Sequence, residues 1–291
     1  MRPFLFEIGD YAVPSYPLFY GLAIVVAALV IERLVQKRGA DPKFVPHVVV
    51  LATLAIIGGG RAFYVSQHLN EFRSDWGRVL DISGGGQVFY GGMILAIVVA
   101  WLYWRIVKFP GRVLADAVAV AAPLGLAIGR VGCFLKGCCY GKVCAESWHS
   151  VQFDRQFAAT GEIVGSPAFL HQLRHGSVSE MAGETLPVHA TQLYSVAACL
   201  GIFVVMLAVW KARWLEGSLV PLVLALYAVV RFLVEFLRAN ETYWGGLTAA
   251  QLTGIPLFVI AVTWLLYRVG GGVGTVGRPS RGAVGATGEG R

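Results

Sequence analysis

Apolar residues in this chain run in long unbroken blocks, without the striping of a soluble amphipathic helix or the alternation of a half-buried strand. Seven blocks are long enough to cross a bilayer core as helices: Leu18 to Leu34, Val45 to Val65, Val88 to Val107, Val113 to Phe134, Leu193 to Trp210, Leu219 to Leu237 and Leu247 to Tyr267. The pattern predicts an all-α polytopic membrane protein with seven transmembrane helices. The first block starts well inside the chain and lacks a basic leader and a small-residue cleavage site, so it is expected to stay as a helix. The stretch from Leu135 to Gln192 contains no such block and is too long for a plain connector, which predicts an outer loop or cap between helices 4 and 5. From Gly270 the chain is rich in Gly, Ser, Thr and Arg, the composition of a disordered tail. The expected organisation is one transmembrane domain over residues 1–269, with the cap at 135–192, and a tail over 270–291.

Charges between the blocks orient them. Arg33, Lys37, Arg38 and Lys43 flank the first connection, Arg105, Lys108 and Arg112 the third, and Lys211 and Arg213 the fifth, while Arg268, Arg278, Arg281 and Arg291 lie at the end. Basic residues concentrate on cytoplasmic connections, so these alternate connections are expected inside, with the N-terminus outside and the C-terminus cytoplasmic. Most of the net charge of +7 belongs to them. A basic surface facing anionic headgroups accounts for that balance, and no nucleic-acid partner is expected.

Composition narrows the class further. With 56% hydrophobic against 14% charged residues, the chain cannot be an ordinary soluble domain. No internal repeat is visible and no paired broken helices are evident, which argues against a transporter. The triplets Gly58 to Gly60 and Gly84 to Gly86 suit close helix packing or irregular backbone near a cavity.

The few charges within or beside the blocks are the candidates for chemistry. An unpaired arginine at the middle of a bilayer costs about 2.5–3.5 kcal/mol by insertion scales, so Arg130, at the end of the fourth block, calls for an anionic partner. Arg61 sits near the outer end of the second block. Tyr227, Arg231 and Glu235, at i, i+4 and i+8, stack on one face of the sixth. They form either a packing ion pair or a site in which Glu235 orients Arg231 to grip an anion. In a bilayer, that anion is most simply a phospholipid phosphate. Tyr90, Gly91 and Gly92 open the third block; the phenol is either an interfacial residue or a proton-handling group, and Tyr16 and Tyr20 share that ambiguity. His189, Gln192 and Tyr194 lie where the long loop enters the fifth block. Cys133, Cys138, Cys139 and Cys144 are disulfide or metal candidates, with the bland alternative that some pack as small hydrophobes, as Cys199 does. The spacing C-x4-C-C-x4-C matches no familiar zinc or iron–sulfur pattern, and the loop histidines match no zinc spacing, so no metal or other cofactor is assigned.

Several segments, taken together, resemble the prolipoprotein diacylglyceryl transferases of bacterial inner membranes. They are Tyr20-Gly21-Leu22, Gly60-Arg61 with Tyr64-Val65, Tyr90-Gly91-Gly92-Met93-Ile94, Gly129-Arg130-Val131-Gly132-Cys133-Phe134, His189-Ala190-Thr191-Gln192-Leu193-Tyr194, Arg231 through Arg238, and Leu247 through Gln251. The resemblance implies a seven-helix membrane enzyme with its N-terminus outside and its active site toward the outer side. It implies transfer of the diacylglyceryl group from phosphatidylglycerol to the lipobox cysteine of a prolipoprotein, with release of glycerol phosphate. On that reading Arg130 and Arg231 hold the lipid phosphate, Glu235 orients Arg231, and Tyr20 and Tyr227 line the lipid pocket. Tyr90 handles the proton, and Arg61, Gly91, Gly92, His189 and Gln192 complete the substrate surroundings. Three positions depart from the family pattern: Tyr90 replaces the usual histidine before Gly-Gly, and Cys133 and Cys138 replace an asparagine and a glutamate. Alternatives are a paralogue with another acceptor, an inactive lipid-binding homologue, or a membrane thiol-disulfide or metal protein built around the cysteines.

Overall fold

The structure is a computed structural model that describes residues 4–8, 11–73, 75–81, 86, 88–155 and 166–270. The expected tail beyond residue 270, Gly84 and Gly85, and part of the expected cap at 156–165 lie outside the described residues. A short antiparallel hairpin, β1 (Phe4–Ile8) and β2 (Tyr11–Pro14), leads into α1 (Ser15–Lys37). Then come α2 (Phe44–Gln67), the single turn α3 (Leu69–Phe72), α4 (Phe89–Val107) and α5 (Gly111–Lys136). The segment after α5 holds β3 (Ser150–Val151), α6 (Pro167–Arg174) and β4 (Val188–His189), and α7 (Thr191–Lys211), α8 (Leu219–Glu235) and α9 (Ala249–Gly270) complete the bundle. The strands are too short for their alternation to stand out from the apolar blocks.

Among the described residues six helices, α1, α2, α4, α5, α7 and α9, are long and apolar enough to cross a membrane. The sixth expected block, Leu219 to Leu237, is helical too, but α8 stops after 17 residues.

Helix α5 is the hub. It packs against α1, α7 and α8, while α4 packs on α2 and α9 on α8. The sequence explains why: α5 buries Ala117, Ala119, Ala121, Ala127 and Gly132, small residues that let neighbouring backbones approach where apolar side chains gain little by leaving lipid. Large apolar side chains such as Ile97, Trp101, Phe258 and Ile260 are exposed on α4 and α9, the inverse of a water-soluble surface. Between α2 and α4 the approach is closer still. A Cβ on Gly92 would stand 2.5 Å from the Ile56 carbonyl oxygen, and one on Gly59 2.6 Å from that of Gly91. Of the Gly58 to Gly60 triplet, Gly59 thus serves helix packing, whereas Gly58 faces open space.

The α7–α8 turn lies at the start of α5. Asp116 accepts hydrogen bonds from the Gly217 and Leu219 amides (2.6 and 3.1 Å), satisfying donors that open α8. Arg38 pairs with Glu216 at 2.6 Å and lies 4.3 Å over the Trp210 ring. At the other end of α5 the loop layer is held by its own cluster of Phe153, Ala168 and Val188 and by the pairing of β3 with β4.

Candidate active site at the end of α5

The last turn of α5 wraps back on itself. Gly137 takes the left-handed conformation (φ 75°) that ends many helices, and the Cys138 amide then donates to the Cys133 carbonyl at 3.1 Å. Cys139 follows with φ 61°, unusual for a residue with a side chain. Two side chains from the start of α7 fix this turn: Gln192 Nε2 donates to the Cys138 carbonyl and Thr191 Oγ1 to that of Cys139, both at 2.8 Å. The outcome is that the Sγ atoms of Cys133, Cys138 and Cys139 all lie within 4.8 Å of one another. Hydrogen bonding from Cys133 and Cys138, with Arg238 and Arg130 nearby, holds Cys139 well below the usual thiol range. Hydrogen bonding with Cys133 and Cys139, together with burial, pushes Cys138 up.

Helix α8 brings the opposing charges. Arg231 Nη1 lies 2.6 Å from Glu235 Oε2, one turn along the same face, and Arg238 Nε lies 3.8 Å from that oxygen. Asn240 Nδ2 donates to the other oxygen at 2.5 Å. The Glu235 side chain is fully buried, which its paired cations permit. Arg130 reaches across from α5 to the Tyr227 phenol and lies within electrostatic range of Cys133 and Cys139, and Arg231 lies within range of both Arg130 and Arg238. Two guanidiniums, those of Arg231 and Arg238, therefore share one carboxylate, and a third, that of Arg130, lies within electrostatic range of Arg231. That surplus of positive charge, at the junction of two apolar helices, suits an anion with several oxygens.

The loop layer is laced to this junction. Gly141 donates to the His189 carbonyl (3.0 Å), His189 to that of Lys142 (3.1 Å), and Lys142 to that of Leu237 (2.7 Å). A Cβ on Gly141 would collide with both His189 and the Leu237 carbonyl, so the three strands of chain can cross here only because residue 141 lacks a side chain. His189 Nδ1 and Gln192 Oε1 are buried without hydrogen-bond partners.

Other candidates fall elsewhere. Arg61 spends its guanidinium on the carbonyls of Val79 (2.9 Å), Arg78 (2.7 Å) and Gly86 (3.2 Å), tying down the loop before α4. Tyr90, Gly91 and Gly92 belong with it on the α2–α4 pair, Tyr90 exposed and both glycines at the helix contact. Tyr20 is exposed and stacks on Tyr16, whose neighbour Phe19 packs against Gly132, so this end of α1 lies beside the end of α5. All five cysteines are free thiols, and Cys144, one of the four disulfide or metal candidates, lies beside β4, its amide donating to the Pro187 carbonyl.

The geometry can be set beside known proteins. A sequence model of the family described as prolipoprotein diacylglyceryl transferase matches residues 3–267. The chain belongs to the prolipoprotein diacylglyceryl transferase family. The phosphatidylglycerol–prolipoprotein diacylglyceryl transferase of Dehalococcoides mccartyi (strain ATCC BAA-2266 / KCTC 15142 / 195) is 30% identical over 91% of this chain and 93% of its own length. The protein of that name from Geobacter sulfurreducens is 28% identical, over 90% and 93% respectively. That from Listeria innocua is 26% identical, over 92% and 90%.

Within this family member, sequence reasoning missed two residues of the charged junction. Arg238 lies beyond the end of α8, but its spacing from Glu235, i+3, was a readable signal that it shares the face of Arg231. Asn240 had no such signal, because its contact depends on how the chain turns after the helix.

Proposed function

We infer that this protein transfers the diacylglyceryl group from phosphatidylglycerol to the lipobox cysteine of a prolipoprotein and releases glycerol phosphate. The observation that carries the reading is the convergence of Arg130, Arg231 and Arg238 beside one carboxylate, Glu235, which pairs with the last two. In this reaction the lipobox thiolate forms a carbon–sulfur bond to the glyceryl carbon while the carbon–oxygen bond to phosphate breaks. The bonding pair leaves with that oxygen. A phosphodiester with one negative charge thus becomes a phosphomonoester approaching two, and the charge grows on the group the arginines would hold. Interactions that strengthen as charge develops lower the barrier, whereas uniform binding does not.

In this reading Arg130 and Arg231 grip the phosphate oxygens, Tyr227 positions Arg130, and Glu235 positions Arg231. Arg238 adds the third positive charge. Tyr20 lines the entry for the acyl chains beside the end of α5, and His189 and Gln192 form the rim. The α2–α4 pair supplies the far wall, with Arg61, Gly91 and Gly92 shaping it and Tyr90 relaying the proton of the incoming thiol, its phenol oxygen accepting that proton as its own passes to solvent. The chain spans the inner membrane of a bacterium seven times, α8 included, with its N-terminus outside and the C-terminus cytoplasmic. Residues 1–269 form one domain whose 135–192 segment caps the outer side, with a separate tail over 270–291. The alternation of basic connections supports that orientation.

The test is release of glycerol phosphate from labelled phosphatidylglycerol in the presence of a lipobox peptide. Arg130→Ala and Arg231→Ala are each expected to lower the rate by about 10²–10³-fold, the range for removal of a group that stabilises developing charge. Purified protein that binds the lipid yet releases no glycerol phosphate sinks the reading.

A further inference from the structure

The proposed reaction assigns no role to the three converging thiols. We propose that Cys133, Cys138 and Cys139 form a three-thiolate binding site for a zinc-class thiophilic cation at the end of α5.

Three features carry it. The first is distance. In a tetrahedral zinc site with bonds of about 2.3 Å to sulfur, ligand sulfurs stand about 3.8 Å apart, and this trio already lies within 4.8 Å. Small side-chain rotations close the remainder. The second is the backbone. Cys138 is folded over Cys133 by the Gly137 turn, and Cys139 holds a left-handed conformation that an ordinary side chain avoids. Both carbonyls of that dipeptide are pinned by side chains of α7. A turn held in this way presents its thiols without waiting for a ligand to order them.

The third feature is charge. Binding a divalent ion displaces the remaining thiol protons to solvent and leaves a complex of three thiolates with a net charge of −1. Arg130 and Arg238, within electrostatic range of Cys139, complement that charge. A site of three protein ligands leaves a fourth position for water. Gln192, anchored on the Cys138 carbonyl through Nε2, has its Oε1 buried without a partner and provides an acceptor for that water. Cys144 and Cys199 stand outside the trio.

The site is tested on full-length protein purified in detergent without oxygen, reduced, stripped with chelator and equilibrated with Zn²⁺ alone. One zinc per chain is expected after removal of excess ion, and Co²⁺ in its place is expected to give thiolate-to-metal charge-transfer absorbance. Cys139→Ser should weaken zinc binding by at least about tenfold, while Cys144→Ser leaves it unchanged. Protection of the unmutated trio from alkylation by Zn²⁺, mapped by mass spectrometry, gives a readout independent of how well any variant folds. Equal alkylation with and without Zn²⁺, or a zinc content that survives serine at all three positions, overturns the proposal. None of these measurements depends on transferase activity, so the site and the reaction stand or fall separately.

Discussion

Glu235 shows how a charge is kept inside an apolar bundle: two guanidiniums share one of its oxygens and an amide takes the other. Glu235→Gln removes the carboxylate charge that Arg231 and Arg238 share and leaves those cations facing each other. The expected cost is about 3 kcal/mol, the lower end for breaking a buried pair, read as a lower unfolding temperature in detergent. Adding Arg238→Gln should recover part of that loss by removing one of the stranded charges, a result simple packing damage would not give. At the cysteine turn the expected effect is on pH dependence. With its pKa well below the usual thiol range, Cys139 stays a thiolate as pH falls from alkaline to slightly acidic, whereas Cys138, pushed up, remains a thiol. Alkylation followed over that pH range should therefore stay slow at Cys138 throughout but persist at Cys139. Arg130, Arg231 and Glu235 could be singled out in the sequence because charge is costly in an apolar block and the helical period places two of them one turn apart. The thiol trio was only half legible. The spacing drew attention to four cysteines, but which three meet depends on a left-handed turn and on side chains arriving from α7, neither of which a spacing encodes.

At the scale of elements, contact between helices is set by what is missing from side chains as much as by what they contain. Gly92→Ala would place a methyl against the Ile56 carbonyl at a distance no relaxed contact allows, so α4 must move away from α2. A loss of about 1–3 kcal/mol is expected, comparable to overpacking a core, and a thermal scan checks it. Asp116→Ala acts at the other end of the bundle by leaving the Gly217 and Leu219 amides unpaired. A similar cost of about 1–3 kcal/mol is expected in the same scan. Helix existence and nearly all helix extents were legible because the apolar blocks were long. The pairing of α2 with α4, and the role of α5 as hub, were not, since any two lipid-compatible helices look alike until their small residues are seen to meet. The same limit hides that Arg61, a candidate for the substrate surroundings, also ties down the loop before α4: the carbonyls that accept from it lie 17 to 25 residues away.

At the scale of the molecule, the proposed orientation places the loop layer outside and the basic connections inside. Trp148, almost wholly exposed in that layer, offers a place to check this. Trp148→Cys is expected to react with a membrane-impermeant maleimide on intact spheroplasts, whereas Lys108→Cys, between α4 and α5, should react only after lysis. The reverse labelling would invert the topology. Helix length adds one more consequence. At about 1.5 Å per residue the 17 residues of α8 cover about 25 Å, some 5 Å short of a typical hydrocarbon core. On the proposed seven-span reading, the bilayer beside α8 thins or dips to meet the end that carries Arg231 and Glu235, which would draw a headgroup held there below the plane of its neighbours. Membrane thickness thereby becomes a variable of the site itself, and proteoliposomes of progressively longer bulk acyl chains should lose activity while the chemistry of the substrate lipid stays the same.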